Sequence, residues 1–398
     1  MSEATDRGDR PYAITVFGAT GFTGRLVAEY LARAVGASVP WAVAGRSRAK
    51  LDALRRDLAG IDPACEAVGL VEADVGDTKS LSSMAEGTAV VLTTVGPYAR
   101  YGDPVVDAAV ERGCDYVDIT GEPDFVDGVL RRHDARAREK GLRVINACGF
   151  DSVPHDLGAL YTVQRLPEGA PLVVEGFVRS NGAASGGTWH SAVEFLGKRG
   201  ALKGAPRVDR APSGGRRVRG LKTGVHREPD LGAWAVPLPT IDPQVVLRSA
   251  AAIDRYGPDF RYAHYAQVKH TATLVGAGLG IGAVAALARF EPTRKLLLSL
   301  KDPGEGPSPE KRQRSWFTVR FRGTGGGRTV WTKVSGGDPG YTETSKMLAE
   351  SALCLALDRG TLPPHTGVVT PAAGMGDALI ARLQRAGIRF EEISSPLG

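Results

Sequence analysis

The sequence predicts an α/β protein: a doubly wound parallel sheet, followed by a second α+β domain whose sheet is mostly antiparallel. Three observations carry this. Short Val- and Ile-rich runs alternate with amphipathic helical stretches through the first 150 residues, as in a parallel sheet covered on both faces. A glycine-rich turn stands between the first such run and the first helix. Beyond residue 315, period-two patterning flanks the glycine cluster RGTGGG, which reads as a hairpin.

The 398 residues, 42% hydrophobic and 24% charged, suit a globular chain of two or three domains. The four cysteines, Cys65, Cys114, Cys148 and Cys354, form no CxxC pair, so neither a zinc knuckle nor a disulfide framework is expected. The opening residues MSEATDRGDRPY lack the apolar core of a secretory signal. A cytoplasmic protein is expected, with peripheral contact at the inner face of the membrane as an alternative.

Candidate strands cover 13–17, 41–44, 66–71, 89–95, 116–119 and 143–147, with helices at 25–35 and 49–58 between the first of them. Six such strands complete a dinucleotide-binding unit, assigned to residues 1–150. Its first turn reads Gly18-Ala-Thr20-Gly21-Phe22-Thr23-Gly24. Gly18 permits a tight turn, Gly21 lets the backbone approach a pyrophosphate, and Gly24 allows close helix–strand packing. The helix start then favours a dianion, with Thr20 and Thr23 as hydroxyl donors and Phe22 beside them. It reads as the phosphate-binding turn of a Rossmann fold, with a glycine turn that only packs as the alternative.

The second strand ends Ala44-Gly45-Arg46-Ser47, without the carboxylate that accepts from an NAD ribose. Arg46 and Ser47 suit a 2′-phosphate instead, so NADP(H) is the expected cofactor. Asp74 and Val75 follow the third strand and are candidates to flank the adenine. Thr94, Val95, Gly96 and Pro97 end the fourth, toward the nicotinamide ribose. Each of these stretches also reads as an ordinary turn or a solvated helix start.

Residues 151–398 form the expected second, α+β domain. A helix near 157–164, a strand at 171–180, a glycine turn into a helix at 186–199, strands at 316–321 and 329–334, and a helix at 342–357 follow in order. The segment 340–398 is expected to supply a closing helix and tail that pack back on the first domain, with substrate between the domains. Within 198–222, nine basic residues oppose Asp209 alone. That excess exceeds the whole chain's +6, so the remainder is net acidic. Glycine and proline there predict a mobile basic loop, a solvated insertion or a docking site for an acyl carrier protein or an anionic membrane surface. Without aromatic platforms, nucleic acid is not expected as a partner. The stretch 271–288 carries no charge and reaches the lower edge of membrane-spanning length. Its glycines and alanines favour a helix or helical hairpin of the folded protein, lining an acyl groove or an interface, over membrane contact.

The stretches VFGATGFTG, AGRSRAKL, TTVGPY, YVDITGE and CGFDSVPHDLG resemble the saccharopine dehydrogenase-like oxidoreductases, and within them the trans-acting enoyl reductases of actinobacterial lipid and polyketide assembly. YTETSKMLAESALCLA and GVVTPAAGMGDALIARLQRAGIRF resemble that family's closing helix and tail. The likeness weakens between about 200 and 315. It implies an NADPH-dependent oxidoreductase, and for the enoyl-reductase members reduction of a double bond in a small-molecule or carrier-bound acyl chain.

Enoyl reduction needs an acid near the α-carbon and donors for the developing enolate. Tyr98, just past the fourth strand, is the first candidate, followed by Asp151 and His155 in GFDSVPHD. Packing, helix capping and surface exposure are the competing roles of these three. The remaining histidines show no metal-ligand spacing, so no metal site is expected. Two alternatives stand beside this reading: an amino-acid-type dehydrogenase acting at a C–N bond, and a non-catalytic NADP-bound protein attached to membranes or lipid.

Overall fold

The computed structural model describes residues 10–182, 193, 215–221, 224–238, 240–299 and 306–397. The chain divides into two compact units, Met1–Val153 with Tyr341–Ala386, and Pro154–Gly340 with Gly387–Gly398. In chain order, β1 (Tyr12–Phe17), α1 (Phe22–Val35), β2 (Trp41–Gly45), α2 (Arg48–Ala59), β3 (Gly69–Glu72), α3 (Thr78–Glu86), β4 (Thr88–Thr93), α4 (Tyr98–Arg112), β5 (Asp115–Asp118), α5 (Pro123–Glu139) and β6 (Arg143–Ile145) make five successive β–α repeats and a sixth strand. α6 (Val153–Val163) opens the other unit, which continues through β7 (Leu172–Ser180), β8 (Arg217–Gly220), β9 (His226–Glu228), β10 (Ala233–Pro237), α7 (Asp242–Ala252), β11 (Asp259–Val268), α8 (Thr271–Ala288), α9 (Glu291–Ser299), α10 (Pro309–Gln313), β12 (Phe317–Gly325) and β13 (Arg328–Gly336). α11 (Thr342–Leu357), β14 (Gly367–Val369), α12 (Pro371–Gly374) and α13 (Gly376–Arg385) then complete the first unit, and β15 (Arg389–Ile393) the second.

The first unit is a seven-stranded sheet in the order β14-β6-β5-β4-β1-β2-β3, with every pairing parallel. β2, β4 and β5 are buried along their whole length, because helices cover both faces of a parallel sheet. The six expected strands are present. The third starts later than its expected 66, because Asp62 caps the amide of Ala64 and Pro63 opens a 3-10 turn over Pro63–Ala67. The fourth stops at Thr93, where the Thr93 hydroxyl takes the Val95 amide at 3.2 Å. β14 is a seventh strand, paired with β6 from Gly367↔Arg143 to Val369↔Ile145. α11 packs on α1, β4 and β5. Its Glu350 accepts from the Tyr30 hydroxyl at 2.6 Å and from Arg382 at 3.1 Å, fastening α1, α11 and α13 together.

The second unit is an eight-stranded mixed sheet, β15-β13-β12-β7-β11-β10-β9, with β8 paired to β11. Among the described residues, only β7 and β8 run parallel to β11; the other pairings are antiparallel. The expected glycine hairpin is β12–β13: Gly325 pairs with Arg328, and Gly326 and Gly327 between them take φ of +57° and +76°, the left-handed pair that a two-residue primed turn requires. α6 lies close on this sheet. A Cβ at Gly158 would stand 2.3 Å from the Phe321 ring, and the Thr162 and Thr332 hydroxyls meet at 2.6 Å. Of the helix expected in 186–199 only Val193 is described, in helical conformation and buried, and most of the basic segment, 198–214 and Lys222, lies outside the described residues. At the described end of that segment, the expected loop is instead β8, and Arg216 donates to Ala250, Ile253 and Gly257 carbonyls behind α7.

Candidate functional site

The carboxyl ends of β1, β2 and β4 meet at the glycine turn. Gly18 has φ +85°, and a Cβ there would sit 2.7 Å from Val95 Cγ2. A Cβ on Gly24 would stand 2.2 Å from the Gly18 carbonyl oxygen, and one on Gly21 3.3 Å from it. The first and third glycines are therefore required by the turn itself. Ala44 O accepts from the amides of Gly18 and Ala19, tying the turn to β2, and Thr94 Oγ1 braces it at 3.3 Å from Gly18 O. α1 then begins at Gly21 with no side-chain cap and no acidic residue in its first turn, so nothing within the helix start neutralises its positive dipole end. Thr20 is exposed and Thr23 half-buried. The Phe22 ring meets Tyr341 edge to face at 5.0 Å, and Ser345 Oγ reaches Thr23 O at 3.5 Å.

Arg46 leaves the end of β2 with its side chain 79% exposed, its Nε 4.0 Å from Asp74 Oδ2. Ser47 caps α2, accepting from the Lys50 amide at 3.4 Å, while its own hydroxyl hydrogen can still donate. Asp74 folds its own turn, accepting from Gly76 N at 2.8 Å, and Val75 packs on the core below. The cradle, the uncapped helix start and a cation where an NAD site has a carboxylate together fit a phosphorylated dinucleotide.

Past β4, Gly96 and Pro97 lead into α4 through a cis peptide. Tyr98 is buried against Phe125. Its hydroxyl donates to Thr93 O at 3.1 Å and accepts from Ile119 N at 3.4 Å, and burial pushes its pKa well above the usual phenol value. Glu122 closes the start of α4 by accepting from the amides of Tyr98 and Ala99. Asp118, at the end of β5, accepts from Tyr116, Asn146, Thr120 N and Ala147 N. Burial pushes its carboxyl up to about 6, the four donors opposing that shift. Asp151 stands half-buried in the loop after β6, its Oδ2 3.3 Å from where a Cβ of Gly121 would lie. In that loop, Phe150 N donates to Thr344 Oγ1 at 3.0 Å.

His155, in the second unit, is buried, its Nδ1 3.5 Å from Asp242 Oδ1. His264 Nε2 lies 3.7 Å from the other oxygen of Asp242. Burial, with His155 adjacent, lowers the His264 pKa to about 3, against the pull of Asp242. Spacing along the chain gave no sign of this trio, since its members come from α6, α7 and β11. The contributions of Tyr341, Thr344 and Ser345 were equally hidden, each lying more than 300 residues from the turn at Phe22 and Thr23.

The apolar stretch is the single helix α8, with α9 packed against it. Among the described residues no helix is long and apolar enough to cross a membrane. Cβ atoms on Gly276, Gly280 and Gly282 would meet open space, and Leu287, Phe290 and Leu296 are exposed.

Residues 14–145 match the family model of the saccharopine dehydrogenase NADP-binding domain, so the cofactor of this fold is NADP(H). The chain is 37% identical to a putative trans-acting enoyl reductase of Mycobacterium tuberculosis, over 96% of this chain and 97% of that one. It is 35% identical to a trans-acting enoyl reductase of Mycobacterium ulcerans, over 95% and 97%. A saccharopine dehydrogenase-like oxidoreductase of Rattus norvegicus is 33% identical, over 97% and 98%. Apo saccharopine dehydrogenase (L-Glu forming) of Saccharomyces cerevisiae shares the fold with a TM-score of 0.56 at 15% identity, covering 96% of this chain and 99% of that one.

Replacing Gly24 with Val is expected to abolish NADPH retention while leaving the far-ultraviolet circular dichroism spectrum intact, because the added carbons must displace the Gly18 carbonyl. Undiminished NADPH binding by this variant in a fluorescence titration would contradict the close approach.

Proposed function

The chain belongs to the saccharopine dehydrogenase-like oxidoreductases, and we propose that within this family it is an NADPH-dependent enoyl reductase acting on a carrier-bound acyl chain in lipid or polyketide assembly. The observation that carries this is full-length identity of 37% and 35% to two proteins named as trans-acting enoyl reductases. The uncapped cradle and the exposed Arg46 support the preference for the phosphorylated cofactor.

In this reading Gly18, Gly21 and Gly24 let main-chain N–H groups approach the pyrophosphate, with Thr20, Phe22 and Thr23 shaping the same turn. Arg46 and Ser47 bind the 2′-phosphate by charge-assisted hydrogen bonds. Asp74 and Val75 flank the adenine, and Thr94, Val95, Gly96 and Pro97 run along the nicotinamide ribose. When bound, the cofactor supplies a hydride to the β-carbon of the double bond. Asp151, half-buried in the loop after β6 while Tyr98 and His155 are buried, gives a proton to the α-carbon. Tyr98 is a positioning residue, fixing the loop between β4 and α4.

A panel of enoyl thioesters assayed with NADPH deuterated at the transferring carbon tests this. Turnover with deuterium at the β-carbon is expected, and Asp151→Asn is expected to lower kcat by about 10²–10⁴-fold with NADPH affinity unchanged. Turnover of an amino-acid imine, with none of any enoyl thioester, would instead place the protein with the C–N dehydrogenases of its family.

We further propose that the α8–α9 pair rests on an anionic lipid surface. Exposed Leu287, Phe290 and Leu296 are interleaved along the chain with Arg289, Arg294 and Lys295, opposed by Glu291 alone within 287–296, the combination of apolar and basic groups that interfacial helices use. Co-flotation with phosphatidylglycerol vesicles at low salt is expected, lost on Phe290→Glu with Leu296→Glu. A protein that never floats, or that only self-associates through this face, would overturn the lipid assignment.

A further inference from the structure

We propose that His155, Asp242 and His264 hold one divalent transition-metal ion, zinc(II) by their chemistry, in the interior of the second unit. The three come from separate elements: the first turn of α6, the first residue of α7 and the middle of β11. Their ligating atoms all lie within 4.8 Å of one another, and all three residues are buried.

The separations argue for a shared ion. His155 Nδ1 to Asp242 Oδ1 is 3.5 Å and His264 Nε2 to Asp242 Oδ2 is 3.7 Å, beyond the usual range of N–H···O hydrogen bonds, about 2.7–3.2 Å. Two donors bound at about 2.0–2.1 Å to one tetrahedral zinc stand roughly 3.3 Å apart. The two histidine–carboxylate separations, each to a different oxygen of Asp242, are therefore close to those of ligands around one ion, and all three ligating atoms fall within 4.8 Å of one another. The two imidazole rings meet edge to face, centroids 4.6 Å apart and planes at 87°, so they do not stack face to face.

The surroundings fit the same reading. Tyr262 places its hydroxyl 3.3 Å from the other nitrogen of His264, and the Thr240 hydroxyl donates to Asp242 Oδ2 at 2.6 Å. Outer contacts of this kind orient metal-bound imidazoles and carboxylates. Two imidazoles with one carboxylate and no thiolate select a borderline ion such as zinc(II) over magnesium, calcium or copper(I). Burial of all three ligands gives the ion a fastening role, joining α6 and α7 to β11, distinct from the dinucleotide site and independent of the reductase reading.

The full-length protein, stripped with a chelator and offered zinc(II) alone, is expected to retain one ion per chain by elemental mass spectrometry, with a melting temperature that rises with zinc concentration. Cobalt(II) in its place is expected to give d–d absorption without sulfur charge-transfer bands, which separates this trio from the four buried cysteines. Thr240→Val, a near-isosteric change in the outer contacts, is expected to weaken zinc binding about 10–100-fold, and His264→Gln to remove it. A wild-type protein that takes up no zinc above the stripped control overturns the proposal whether or not the variants fold. So do cobalt–sulfur bands, or a folded His264→Gln protein that keeps its full zinc.

Discussion

The contact on which the first unit depends is between two backbone segments with no side chain between them. The carbonyl of Gly18 and the α-carbon of Gly24 approach so closely that a methyl group would fall 2.2 Å from the oxygen. That approach brings the start of α1 to the end of β1, beside β2 and β4. It also sets the amides of the helix start where an anion profits most from the helix dipole. Any β-carbon at the third glycine pushes helix and strand apart, with the loop after β4 following, because Thr94 and Val95 touch the same turn.

Around this contact the polar groups divide between structure and function. Tyr98, Glu122 and, with two of its four hydrogen bonds, Asp118 engage backbone groups at and beyond the ends of β4, β5 and β6, and so hold those loops at the sheet's carboxyl edge. Arg46 differs: it reaches outward from the end of β2 with one long contact to Asp74. A buried and saturated group is costly to redirect toward a ligand, whereas an exposed guanidinium keeps its five donors available. The burial pattern thus favours Arg46 for recognition and Tyr98 for support.

Much of the fold was legible in the sequence. The β-branched runs of the parallel sheet, the glycine turn and the β12–β13 hairpin all state their periodicity or turn chemistry locally. β3 began later than expected because the Asp62 cap and Pro63 impose a turn that hydrophobicity does not record. β14 is three residues long and joins β6 from more than 200 residues away. Arg216, which looked like part of a solvated basic run, serves backbone carbonyls behind α7. The partners of the candidate site were the least visible. Tyr341 at Phe22, Thr344 at Phe150 and Asp242 between two histidines meet only through tertiary packing, which one-dimensional spacing cannot encode.

The proposed recognition of the 2′-phosphate by Arg46 is most directly tested by calorimetric titration of the wild type and Arg46→Ala with NADPH and NADH. The wild type should bind NADPH far more tightly. Loss of the charged hydrogen bonds should weaken NADPH about 10- to 100-fold and leave NADH as it was. A wild type that binds NADH equally well, or an Arg46→Ala protein that holds NADPH undiminished, would contradict it.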